Sequence, residues 1–177
     1  DYAQAEQLAR YVFGMQTRIY GPRHAEVVKA TNLLGTIKHA SGDYQTARLH
    51  YEAALLLAKD AFEPTSLAHA VIRISLGTLL LYALNEPAAA LPHLQEAVAL
   101  LTEQAAGSAN LHLAEQYLGD AHADLGHTGQ ARLYLDRALQ GFLPSAAEHP
   151  ATVANLRAAL VCIDPPAQRE MDWQAGV

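Results

Sequence analysis

Residues 34–54 read LGTIKHASGDYQTARLHYEAA, and this stretch decides the fold. Its Leu34-Gly35 pair returns as Leu76-Gly77 and again as Leu118-Gly119, at a constant step of 42 residues. Ala47 repeats at the same step in Ala89 and Ala131, with Ala5 one step earlier, and Ala54 meets Ala138 two steps on. Asp1 and Asp43, Tyr2 and Tyr44, Tyr20 and Phe62, and Pro22 and Pro64 also match. A fixed period of 20–50 residues signals a stacked array of one supersecondary unit.

Composition says what that unit is made of. The chain has 177 residues, 51% hydrophobic and 17% charged, which is enough to bury a core and excludes wholesale disorder. Alanine supplies 35 residues and leucine 27, whereas aromatics are 7%. Ala and Leu cost little to hold helical, so each unit reads as two helices. First helices are expected near 24–41, 66–84, 108–126 and 147–163, and second helices near 1–19, 43–61, 86–105 and 128–142. Asp43 and Asn85 suit helix N-caps, and Pro87 suits a first helical turn. Pro92 lies inside a second helix, so a kink or a late start is expected there. Gly35, Gly77 and Gly119 fall mid-helix, where glycine costs about 0.5–1 kcal/mol relative to alanine. Close approach of the partner helix offsets that cost, and the Ala twelve residues later is the expected contact. Leu34, Tyr51 and Leu118 are expected to fill the space between units. The middle unit departs from the pattern: Ala-Leu-Asn-Glu-Pro (83–87) replaces Gly-Asp-Tyr, and Glu96 stands where Ala54 and Ala138 stand. Ala97, one place on, points to a one-residue slip or a helix bulge.

This pattern resembles the tetratricopeptide repeat (TPR), and its 42-residue step the longer kinesin-light-chain-like variant. Gly21-Pro22-Arg23-His24 and His149-Pro150 are similar to what that variant carries before its first helices. The resemblance covers about residues 1–163. It implies an all-α fold: a right-handed superhelical array of antiparallel helix pairs, a TPR-like α-solenoid of about eight helices. In this register Asp1 opens a second helix whose first helix is missing, leaving the face near Tyr2, Leu8 and Val12 uncovered. That reads as a piece of a larger protein, with 147–163 as a C-terminal cap and 164–177 as a flexible tail. Trp173, in that tail, is disordered or docks on an apolar surface.

The resemblance also implies a concave groove lined by first helices. Its positions in the first full unit are Lys29, Asn32, Thr36 and His39. The second unit offers Val71, Ile74, Thr78, Leu81 and Tyr82; the third, Leu113, Gln116, Tyr117, Asp120 and Asp124; the fourth, Asn155 and Ala158. The strip passes from basic and polar, through apolar, to acidic, which suits a peptide or protein segment with the opposite order. Lys29 and Asn32 match part of a carboxylate-clamping set, but the next unit offers Val71, Ile74 and Thr78 where basic or amide groups are needed, and Arg73 faces elsewhere.

Other classes find little support. Net charge is −6, against a nucleic-acid partner. Residues 1–50 carry six Lys/Arg and four Asp/Glu, whereas 51–177 carry six and fourteen. No apolar run reaches the ~18–20 residues of a membrane span. His112, Glu115, Asp120, His122, Asp124 and His127 lack a metal-binding spacing and read as a solvated helix face. Cys162 is the only cysteine, which excludes an intrachain disulfide and suits a reducing, cytoplasmic setting. It sits in the apolar run Leu160-Val161-Cys162-Ile163 and reads as buried and inert. No phosphate loop, dinucleotide motif or nucleophile elbow is present, and no cofactor or metal is expected. The Ala-rich, Lys-poor composition hints at a high-GC bacterial source. The expected function is therefore a non-enzymatic protein–protein interaction module. A regulatory segment switching an attached effector domain, and a self-associating array with open ends, are the alternatives.

Overall fold

The computed structural model describes residues 1–163; the expectations for 164–177 and Trp173 lie outside them. Eight α-helices follow in order: α1 (Tyr2–Tyr20), α2 (Ala25–Ala40), α3 (Tyr44–Ala61), α4 (Leu67–Thr78), α5 (Pro87–Gln104), α6 (Ala109–Asp124), α7 (Thr128–Phe142) and α8 (Pro150–Ile163). A π-helical turn, Leu79–Ala83, continues α4, and a short 3₁₀ turn, Leu143–Ser145, follows α7. No strand occurs among the described residues.

The chain divides into two compact units, the first spanning Asp1–Gln104 and the second beginning at Ala105. In the first unit α1 packs on α2, α2 on α3, α3 on α4 and α4 on α5. Val28, Ala54, Ala58 and Ile72 form a buried cluster, flanked by Leu55, Leu57, Ala61 and Phe62. Lys38 ties three helices together, reaching Glu6 of α1 at 2.8 Å and Asp43 at 3.4 Å. Its hydrogen bond with Glu6 raises the Lys38 pKa and lowers that of Glu6. In the second unit α7 packs on α6 and α8 on α7. Leu135, Ala138 and Phe142 of α7 meet Val153, Leu156 and Leu160 of α8 there.

Helix starts follow from side-chain chemistry. The oxygens of Asp1, Asp43, Ser66 and Ser108 each accept an N–H of the first turn that has no helical partner, at 3.0–3.3 Å. Asn85 does not cap α5. It holds a positive φ of 55° and ends the preceding helix, and α5 begins at Pro87. Pro92 lies within α5 without delaying its start.

The repeat glycines meet bulky side chains rather than alanines. A Cβ on Gly35 would lie 2.7 Å from the Tyr51 ring; on Gly77, 2.7 Å from Leu94; on Gly119, 2.7 Å from Leu135. Bare backbone at these positions lets the facing residue of the second helix seat fully. The alanines are buried beside this contact instead of forming it: Ala47, Ala90 and Ala131 are each 0% exposed.

The partner of Gly77 reveals the irregularity of the middle unit. Gly35 to Tyr51 and Gly119 to Leu135 are each 16 residues, whereas Gly77 to Leu94 is 17. The buried alanine is Ala90 rather than Ala89, and Ala97 rather than Glu96 takes the place of Ala54 and Ala138. The left-handed residue shifts as well: Gly42 and Gly126 lie two steps apart, and between them the role falls to Asn85 rather than residue 84. One extra residue is therefore held between Gly77 and Asn85, and the π turn at Leu79–Ala83 holds it. The next segment is one residue shorter, which keeps Gly77 to Gly119 at 42.

Candidate functional site

In the first unit, Lys29, Asn32, Thr36 and His39 share one face of α2 through their three- and four-residue spacings. Lys29 is exposed and pairs with Glu26 at 2.7 Å. Asn32 is half-buried, and its Oδ1 has no hydrogen-bond partner among the described residues. The Thr36 hydroxyl donates to the Asn32 carbonyl at 3.1 Å and accepts from the buried Tyr51 hydroxyl at 3.4 Å. His39 sits edge-on to Tyr44, and burial lowers its pKa.

On α4, Val71 is exposed while Ile74 and Thr78 are half-buried, the Thr78 hydroxyl donating to the Ser75 carbonyl at 3.1 Å. Tyr82 projects from the π turn, 55% exposed. Leu81, expected beside it, is buried: the wider π turn rotates it away from the face that regular helical spacing would give.

In the second unit, Leu113, Gln116, Tyr117 and Asp120 are half-buried on α6, and Asp124 is exposed. The Gln116 Oε1 has no partner among the described residues. Tyr117 and Asp120 are one turn apart; burial, then the charge of Asp120, raises the tyrosine pKa. Asn155 and Ala158 are exposed on α8. Asn32 and Gln116 hold the same register, each three residues before its repeat glycine.

Two expectations are corrected here. The histidine-rich stretch of α6 is not a solvated face. Glu115 and His122 are buried, the His112 ring packs over Gly141 and edge-on to Phe142, and His122 stacks parallel to Tyr134. Among the described residues no three His, Cys, Asp or Glu side chains converge on a metal position. Cys162 is exposed, since α8 turns Val153, Leu156 and Leu160 toward α7 and leaves Val161 and Cys162 outside.

A feature of the first unit that the sequence reading missed is a groove of about 760 Å³ between α3 and α5, floored by α4. Leu55 and Leu56 line one wall, Ala99 and Leu100 the other, and His69, Arg73 and Leu76 the floor. Its signal was present in the repeat step: His69 and Arg73 occupy positions where α2 has Val27 and Thr31.

Residues 28–103 match the family model described as "Tetratricopeptide repeat". No curated protein sequence matches the chain. Among solved structures, BtubC (BKLC) from P. vanneervenii is similar, with a TM-score of 0.78 and 17% identity over 100% of this chain and 76% of that one. The TPR-like repeats of a Podosopora anserina protein assigned as a kinesin light chain are also similar. There the TM-score is 0.78 and the identity 15%, over 98% of this chain and 82% of that one. At these identities the likeness is one of fold. No helix among the described residues is long and apolar enough to cross a membrane. The antiparallel pairs, the glycine contacts and the matched segment agree: residues 28–103 carry tetratricopeptide repeats, and the fold is like that of the kinesin-light-chain-like repeat structures.

Proposed function

We propose that the chain is a non-enzymatic module that binds peptide or protein segments on the first-helix faces of its repeats. The tetratricopeptide fold is in general a scaffold for protein–protein interaction, and the finer reading rests on one observation. Asn32 and Gln116, at equivalent positions of α2 and α6, hold buried amide oxygens without partners among the described residues. A buried acceptor left unmade costs about 1–3 kcal/mol, and a backbone N–H of a bound segment would satisfy it. In the first unit the exposed Tyr82 supplies a rigid aromatic contact, with apolar Val71 and Ile74 two to three turns earlier in the same segment.

Selection of segments from a random peptide library tests this. Peptides enriched on the intact chain are expected to lose about 3- to 10-fold in affinity for Asn32→Ala or Gln116→Ala, one net hydrogen bond's worth. Enriched peptides that bind both variants and Tyr82→Ala unchanged would place recognition on another face.

A second reading, self-association, is favoured by α1. Leu8, Tyr11 and Ile19 are 63–65% exposed along one side of that helix, more apolar surface than solvation of a helix face calls for.

A further inference from the structure

The groove between α3 and α5 presents polar groups that the fold itself leaves unused. His69 is 8% exposed, and its Nε2 has no hydrogen-bond partner among the described residues. The Arg73 Nε, one turn along α4, is likewise buried and without one. The other units fill this row differently. At the positions of His69 and Arg73, α2 carries Val27 and Thr31, the Thr31 hydroxyl donating to the Val27 carbonyl at 2.7 Å. On α6 the same positions carry Leu111 and Glu115, with Glu115 beside His112. Only in α4 does the row hold orphaned nitrogens, and there it floors a groove. His69, Arg73 and Leu76 lie roughly half a turn around α4 from Val71, Ile74 and Thr78, so this surface is distinct from the first-helix strip.

The walls carry apolar side chains with Glu52, Lys59, Glu96 and Glu103 among them, and Arg73 lies on the floor. Leu55, Leu56, Phe62, Ala99 and Leu100 face the groove, and Leu56 is 66% exposed. A volume near 760 Å³ is that of a small-molecule site. Glu96 contacts the Arg73 Nη2, while the Nε of the same guanidinium has no hydrogen-bond partner among the described residues. The Glu96 side chain is 58% exposed, so this pair is weak and exchangeable. Lys59 adds a second cation to the lining; of the other carboxylates there, Glu52 pairs with Arg48 at 2.9 Å, an arginine it shares with Glu86, and Glu103 lies on the α5 side.

We propose that this groove binds an amphipathic monocarboxylate of small-molecule size. Its carboxylate displaces Glu96 and takes both the Nε and Nη2 of Arg73, a bidentate fit that a single-point contact cannot match. The His69 Nε2 donates to the same head group. The apolar body lies along Leu55, Leu56 and Leu100.

Calorimetric titration of the full chain with decanoate, decanol and propionate tests the proposal. Decanoate is expected to saturate at one site and to bind about tenfold or more tightly than decanol, the difference being the charge-assisted bonds to Arg73. Propionate, a head without a body, is expected not to saturate. Arg73→Met should bring decanoate down to the decanol affinity, at unchanged helicity by circular dichroism. Glu96→Gln, an exposed change that removes the competing carboxylate, should tighten decanoate by about threefold. Equal affinity for decanol and decanoate, no saturation, or no response to Glu96→Gln would overturn the proposal. So would saturation by a leucine-rich peptide with none by decanoate.

Discussion

Gly119→Ala puts the close packing of α6 on α7 to a direct test. The added methyl carbon would lie 2.7 Å from Leu135 Cγ, 2.9 Å from its Cδ2 and 3.2 Å from its backbone nitrogen. Ordinary carbon contacts begin near about 3.5 Å, so the side chain or the helix must withdraw by about 0.8 Å. Leu135 is 0% exposed and sits in the α7–α8 cluster, so it has no empty space to enter. Overpacking of this kind costs about 1–3 kcal/mol. The helix gains about 0.5–1 kcal/mol from replacing glycine, so the net loss is between about 0 and about 2.5 kcal/mol, centred near 1. Thermal and urea unfolding followed by circular dichroism would read it, with the second unit's transition the one to shift. Leu135→Ala alone should cost about 2–5 kcal/mol. In the double variant the new methyl fills part of the cavity, so the two losses should fall short of additivity by about 1 kcal/mol. A stabilising Gly119→Ala, or strict additivity, would mean that helix propensity rather than close approach governs the position.

Two further outcomes are expected. Burial is the first cause lowering the pKa of His39, His50, His93 and His122, with the charge of Arg73 next for His93. Above the ordinary imidazole value of 6.5 these groups are neutral folded or unfolded. As the pH falls below it the unfolded chain takes up protons that the folded chain refuses, so stability drops. Melting scans between about pH 7.5 and about pH 5 should show a falling Tm that His122→Gln makes shallower, and a Tm that rises on acidification would refute this. Sedimentation should show concentration-dependent association that Leu8→Glu with Ile19→Glu abolishes; a chain that stays monomeric at high concentration removes the self-association reading.

Much of the fold was legible because close packing leaves periodic marks. Leu-Gly pairs at a constant step locate first helices, and Asp43 marks a helix start by its own carboxylate chemistry. The contact partner of the glycines was harder to read, because Ala47 and Tyr51 are both buried on α3 and only geometry says which one meets Gly35. The slip near Ala97 was visible as a mismatch, but its seat in a π turn was not, since Leu79-Leu80-Leu81 is equally suited to an α-helix. Leu81 was misplaced for the same reason. Cys162 was misjudged because an apolar run at the end of α8 shows no periodicity to say which side is covered. On the strip, regular spacing put Asn32, Thr36 and His39 on one face of α2. The groove floored by His69 and Arg73 depends on how α3 and α5 flank α4, a tertiary relation that no local pattern encodes.

The π turn also bears on how such arrays could be recombined. Between Gly35, Gly77 and Gly119 the units are interchangeable in length, so a unit cut from glycine to glycine carries its own correction with it. A cut between α4 and α5 does not. Joining α4 and its π turn to α7 would bring the surplus residue without the shortening that follows it, and joining α2 to α5 would bring the shortening without the surplus. Either chimera would change the glycine-to-glycine step to 43 or 41 residues yet leave its second helix in phase with the glycine it covers, because the π turn takes up the surplus before Asn85 and the shortening falls after α5. The constant step is therefore a property of the whole 42-residue unit, whereas the fit of the two helices in a pair belongs to the first helix and the turn that ends it.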